Sequence, residues 1–155
     1  MTTRFQLATE PFQAHAELER LAQPTAGAVA SFVGYCRDAG PNGPVAWLEL
    51  EHYPRFTETE IQRTLSQISN QHGLLGLLVI HRVGRILPGE AIVAVGASST
   101  HRAAAFAAVE QAMDYLKTEA PFWKREQRED GVHWIEPTLQ DYARSARHQR
   151  AGDNS

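Results

Sequence analysis

The 155 residues suffice for one domain with a true core and are too few for two ordinary ones. Hydrophobic residues make up 43% and charged residues 21%, a globular balance, and a formal net charge of −3 excludes a global basic footprint for nucleic acid or an anionic membrane. The single cysteine, Cys36, excludes an internal disulfide and any multi-cysteine metal or iron–sulfur site. With no signal-like apolar run near the N-terminus, a reducing, cytoplasmic setting is the expectation.

Taken in chain order, Arg4 to Ala8 predicts a first strand. Pro11 suits the opening turn of a helix reaching about Ala22. Ala26 to Gly34 is small, apolar and partly β-branched, and predicts a buried strand. Arg37 to Pro44 (RDAGPNGP) has the glycine and proline content of a loop. Val45 to Tyr53 alternates, with Leu48, Leu50 and His52 on one face, and predicts a half-buried strand. Thr57 with Glu60 has capping-box spacing, so a helix is expected there, with Ile61, Leu65 and Ile68 on its inner face.

Leu74 to Val83 and Ala91 to Ser98 predict two more strands, joined through Leu87-Pro88-Gly89-Glu90. A longer helix follows, capped by Ser99 or Thr100, with Phe106, Val109, Met113 and Leu116 as its apolar stripe, and Pro121 ends it. Phe122 to Arg128 and Val132 to Glu136 form two short strands around Glu129-Asp130-Gly131, and Pro137 to Arg150 has helical spacing. Consecutive strands without an intervening helix require antiparallel pairing, so the expected class is α+β, mixed and largely antiparallel, in one domain.

Nucleotide-binding glycine fingerprints, the phosphate-binding P-loop, HExxH and GxSxG are all absent. His52, His81 and His101 are the histidines that element ends could gather around a metal, yet no aligned carboxylates accompany them, and no metal site is expected. Cys36 beside Arg37 has two readings: an activated thiol, or a small residue closing a strand. The second fits better.

Cations at element ends carry the chemistry. Arg37 stands where a strand enters the glycine-rich loop, and Lys117 in the last turn of the long helix, where it also complements the helix dipole. Lys124 and Arg125 follow the break at Pro121, either as site residues or as ordinary solvated charges. Arg102 opposes the dipole from the first turn, a local cost that points to a site; with His101 and the free N–H groups there it makes a seat for phosphate. His101 and Lys117 stand 16 positions apart, about 24 Å along a helix. One small substrate cannot touch both. Either each chain has two anion sites, or a twofold dimer lets each pocket borrow the helix start of its neighbour; the dimer is the preferred reading.

These segments, in this order, resemble the molybdopterin synthase large-subunit family over roughly residues 4–136. The resemblance rests on FVGYCRD at 32–38, LELEHYP at 48–54, VIHRVGRILPGE at 79–90, THR at 100–102 and MDYLKTEAPFWKRE at 113–126. The last is the most specific; residues 137–155 form a separate C-terminal segment, helical and then disordered, that the resemblance does not cover. It implies an α/β hammerhead-type catalytic domain over residues 1–136. It also implies a homodimer within a heterotetramer, each protomer carrying a ubiquitin-like small subunit with a C-terminal Gly-Gly thiocarboxylate. The implied reaction moves sulfur from that tail to cyclic pyranopterin monophosphate (precursor Z), so no cofactor is needed. Lys117 and Lys124 match the family's two catalytic lysines. Arg37, His101 and Arg102 match substrate-binding positions, as does the run Lys124, Arg125 and Glu126. Two other functions are compatible with the same residues: a scaffold that docks the partner's tail, and a phosphate-ester hydrolase.

Overall fold

In the computed structural model, residues 2–136 and 139–153 are described. Among the described residues the elements are β1 (Thr2–Ala8), α1 (Ala14–Leu18, continued as a 3-10 turn over Glu19–Leu21), β2 (Ala28–Tyr35), β3 (Ala39–Gly40), β4 (Gly43–His52), α2 (Phe56–His72), β5 (Gly76–Arg82), β6 (Gly84–Ile86), β7 (Ala91–Ser99), α3 (Arg102–Thr118), β8 (Phe122–Arg128), β9 (Gly131–Ile135) and α4 (Leu139–Asp153). The class is α+β, in a single domain.

One sheet has the order β1-β5-β7-β2, with β1 and β5 parallel and the other pairs antiparallel. Every residue of β5 is buried, which requires cover on both faces. On one face α2 and α3 enclose a core of Ile61, Leu65, Val79, Val95, Ala108 and Leu116. On the other, α1 lays Leu18 and Leu21 against Ile80 and Ala94. Gly96 of β7 permits this approach, because a Cβ there would run into both leucines.

The second sheet carries the site. It runs β3-β4-β8-β9, with β6 added on the other side of β4. In register, Leu50 faces Lys124 and Leu48 faces Glu126, and across the next pair Lys124 faces Ile135. Cys36, Leu48, Leu50 and Ile86 form the small core beneath this face.

Several local expectations change. The first helix starts at Ala14 rather than near Pro11. The loop of residues 37–44 folds into the β3–β4 hairpin, turning at Gly43 with φ 101°. β6 had no signal of its own, being three residues long. Thr57 lies inside α2 and does not form a capping box. Its hydroxyl accepts a bond from the Tyr53 N–H (2.8 Å) and donates to the Pro121 carbonyl (2.9 Å). The N-cap position of α3 is held by His101, with no side-chain capping bond. Phe106 is 65% exposed; the buried stripe runs instead through Ala105, Ala108, Val109, Ala112 and Leu116. Of the predicted C-terminal helix, residues 137 and 138 lie outside the described residues, as do 154 and 155 of the tail expected to be disordered.

Thr57 is fully buried and joins the end of β4 to the turn that launches β8. Thr57→Val keeps the shape and leaves a partly buried N–H and a carbonyl unpaired, so it should destabilise the protein by about 1–2 kcal/mol. Urea denaturation measures this; a loss under about 0.5 kcal/mol would mean that the two bonds contribute nothing.

Candidate functional site

The end of α3 and the start of β8 are joined by a tight turn. The Glu119 and Ala120 N–H groups both donate to the Tyr115 carbonyl, which closes the helix, and Pro121 prevents its continuation. Lys117 in the last turn and Lys124 on the strand are therefore brought to one place. Both line a cavity of about 720 Å³. Arg37 and Cys36 reach it from the end of β2, Glu126 and Arg128 from β8, and Asp141 and Tyr142 from the first turn of α4.

Lys124 is only partly exposed, on a floor built by Leu50 and Ile135. Burial, and then the charge of Lys117, push its pKa down to about 8, against the opposing pull of Asp141. An amine at that value is a few per cent to a tenth neutral near pH 7, so it can take a proton as well as give one. Glu126 is held by Arg128, its Oε1 2.6 Å from the Arg128 Nε.

Cys36 is 5% exposed, and burial above all raises its thiol pKa, with Glu126 and Glu90 adding to the effect. An activated thiolate needs the opposite environment, so the structural reading of Cys36 stands. Phe122 and Trp123, the rings next to Lys124, line the cavity and also pack on neighbouring rings. Phe122 stacks on His81 with centroids 4.4 Å apart, and Trp123 packs on Tyr53 at 4.6 Å.

His101 and Arg102 do not reach this cavity. They are exposed at the opposite end of α3, as the helix length requires. Arg125 points to the other face of its sheet. Its Nε donates to Glu49 Oε1 at 2.7 Å, and its guanidinium lies 5.8 Å from the Trp134 ring centre. The cavity thus gathers Arg37, Lys117, Lys124 and Glu126 of the expected site, and leaves out Arg125, His101 and Arg102.

His52, His81 and His101 form no cluster. Among the described residues the one group with metal-ligand spacing is Glu110, Asp114 and His148, where α4 meets α3. There the His148 Nε2 lies 2.7 Å from Asp114 Oδ2, an ordinary polar clasp between helices.

Sequence reasoning overlooked two features. Asp141 and Tyr142 required knowledge of where α4 packs. The other was legible: of the 15 basic residues, 13 are arginine and two are lysine. Both lysines line the same cavity. A chain that uses arginine everywhere else keeps lysine where a proton can be exchanged, which arginine cannot do at neutral pH.

Comparison with known proteins follows the same lines. The family model described as MoaE protein matches residues 7–119. The molybdopterin synthase catalytic subunit of Ralstonia nicotianae is 42% identical over 99% of this chain and 88% of its own length. The solved molybdopterin biosynthesis MoaE protein of Burkholderia ambifaria superposes with a TM-score of 0.79 at 41% identity, covering 96% of this chain and 99% of that one. A complex of subunits 1 and 2 of the molybdopterin-converting factor of Helicobacter pylori shares the fold, with a TM-score of 0.70 at 19% identity over 84% and 89% of the two chains. The chain belongs to the MoaE protein family, that of the molybdopterin synthase catalytic subunits.

Proposed function

We propose that this chain transfers sulfur from the C-terminal thiocarboxylate of a ubiquitin-like small subunit to precursor Z, building the dithiolene of molybdopterin in the cytoplasm. The observation that carries this reading is the pairing of the chain's two lysines in one cavity, one of them with a lowered pKa. As the thiocarboxylate sulfur attacks the carbon next to the cyclic phosphate, negative charge builds on the leaving phosphate oxygen. Lys117 and Arg37 are placed to stabilise that charge. Lys124 exchanges the proton, or assists hydrolysis of the thioester that then links product and partner. Sulfur arrives on the partner, so no thiol, metal or cofactor of this chain takes part, in keeping with the inert Cys36.

The tail ends in Gly-Gly, and a segment without side chains can enter a cavity where Cβ atoms would clash. The test is reconstitution: the purified chain, a thiocarboxylated small subunit and precursor Z, assayed for molybdopterin. Production with all three, and none without the chain, is the expected outcome; absence of product from a folded, partner-bound chain would overturn the reading.

His101, Arg102, Arg125 and Glu126 are retained as substrate-binding candidates. Glu126 acts from within the chain, whereas Arg125, paired with Glu49 on the opposite face of the sheet, could contact only substrate that extends beyond this cavity. His101 and Arg102 serve the cavity of a second copy, which a twofold homodimer within the heterotetramer provides. Exposed Phe106, one turn beyond Arg102, and exposed Val29 and Phe32 of edge strand β2 offer apolar surface for that contact. This predicts complementation. Arg102→Ala and Lys117→Ala, each inactive alone, should recover about a quarter of wild-type activity when unfolded and refolded together, because half of the mixed dimers' pockets are intact. No recovery from verified mixed dimers would place both residues on one protomer's pocket or exclude Arg102 from the site.

A further inference from the structure

The helix α4 lies beyond the segment matched by the family model, which ends at residue 119. It packs along α3 and is pinned there twice. Ser145 Oγ donates to Glu119 Oε1 at 3.2 Å, and His148 Nε2 lies 2.7 Å from Asp114 Oδ2. Asp114 and Glu119 flank Lys117 in sequence, so these pins fix α4 relative to that lysine. Asp141, in the first turn of α4, is thereby carried into the wall of the lysine cavity.

Three carboxylates line this cavity among the described residues: Glu126, Glu136 and Asp141. Glu126 is engaged by Arg128 on its own strand. Glu136 is exposed. Asp141 is the carboxylate whose field reaches Lys124, and it acts against both burial and the charge of Lys117. The remaining charged or titratable groups around Lys124 are Tyr35, Cys36 and Arg37 at the end of β2, Arg128 on β8, Tyr142 on α4, and His81 on β5, which burial keeps neutral. Two lysines share one cavity, and a carboxylate supplied by a separate element faces them.

We propose that Asp141 is a positioning residue for Lys124, carried in by α4 as the counter-charge that steadies the ammonium form and governs how readily this lysine passes a proton to the reacting group. The reaction half of this statement rests on the sulfur-transfer reading; the electrostatic half does not. It also gives α4 a part in the site: pinned helix, placed carboxylate, tuned lysine.

The experiment uses the full chain labelled with 13C and 15N in lysine. With two lysines, two sets of side-chain signals arise, and Lys124→Met identifies them. Titrated by NMR, Asp141→Asn should lower the Lys124 midpoint by about 0.5–1 pH unit, while Asp141→Glu, which keeps the charge, should stay within about 0.3 unit of wild type. In the reconstituted assay, the rate limb set by Lys124 should move to lower pH by the same amount in Asp141→Asn only. A midpoint that stays in place or rises in folded Asp141→Asn overturns the proposal. A lowered midpoint with an unmoved rate limb keeps the counter-charge but overturns the part of Lys124 in proton transfer, which separates this proposal from the reading beneath it.

Discussion

Lys124→Met should make the protein more stable and abolish sulfur transfer in the same molecule. The lysine's pKa is about 8 in the fold against an ordinary value of 10.5. Between those values the unfolded chain holds the proton more tightly than the folded one. Folding stability therefore rises with pH across that window, and at neutral pH the protein bears the full cost of burying the charge. At about 1.4 kcal/mol per unit, that cost is on the order of 3–4 kcal/mol. Methionine keeps much of the stem packed against Leu50 and Ile135 and removes the charge, so the urea midpoint at pH 7 should rise by an amount equivalent to about 2 kcal/mol. The advantage over wild type should shrink as pH rises from about 8 and be gone above about pH 10.5, where the lysine is neutral in both states. Turnover should fall by at least about 100-fold, the usual effect of removing one group that acts on developing charge. Lys117→Ala should be equally inactive and remain folded. A Lys124→Met protein that turns over normally, or that is less stable than wild type at pH 7, would contradict this account.

Much of the fold could be read from periodicity, because the informative elements are local. The bounds of β8 follow from Pro121 behind it and Glu129-Asp130-Gly131 ahead, and they fall at Phe122 and Arg128 as expected. The unbroken apolar run of β5 signals a strand covered on both faces. What escaped was set by tertiary contacts. Thr57 has the spacing of a cap, but its hydroxyl is claimed by Tyr53 and Pro121, which are distant or outside the helix. Phe106 has the spacing of a core residue, yet the α3 surface against the first sheet is closed by alanines, leaving the ring outside.

The candidate site divides in the same way. That Lys117 and Lys124 belong to one site came from the family resemblance, and the tight turn before Pro121 supplies the physical reason. That His101 lies far from Lys117 followed from the rise of a helix. The approach of Arg37 depends on β2 pairing with β7, and that of Asp141 on two side-chain pins between helices. Pairings of that kind leave no mark on local spacing. Lys124 and Arg125 are adjacent in sequence, yet strand alternation sends one into the cavity and the other to Glu49 on the opposite face.

Beneath the lysines, His81 should govern how the fold responds to acid. Its ring is 3% exposed and stacked on Phe122, its Nδ1 donates to the Arg82 carbonyl at 2.8 Å, and Lys117 and Lys124 are near enough to repel a proton. Burial first, and those two cations next, lower its pKa from 6.5 to about 3. The depressed value means that the unfolded chain takes up a proton in a window where the folded one does not. Stability from the neutral ring is present above pH 6.5 and drains away as the pH falls toward 3, by on the order of 5 kcal/mol in all. His81→Gln should be less stable at pH 7 by about 1–2 kcal/mol, since the stacking on Phe122 is lost. It should also lose stability more gently on acidification, so that the two urea midpoints converge between pH 6.5 and 4. Parallel curves over that range would mean that His81 takes up its proton inside the fold. A third cation would then stand under the lysine cavity, and its charge would lower the Lys124 pKa further.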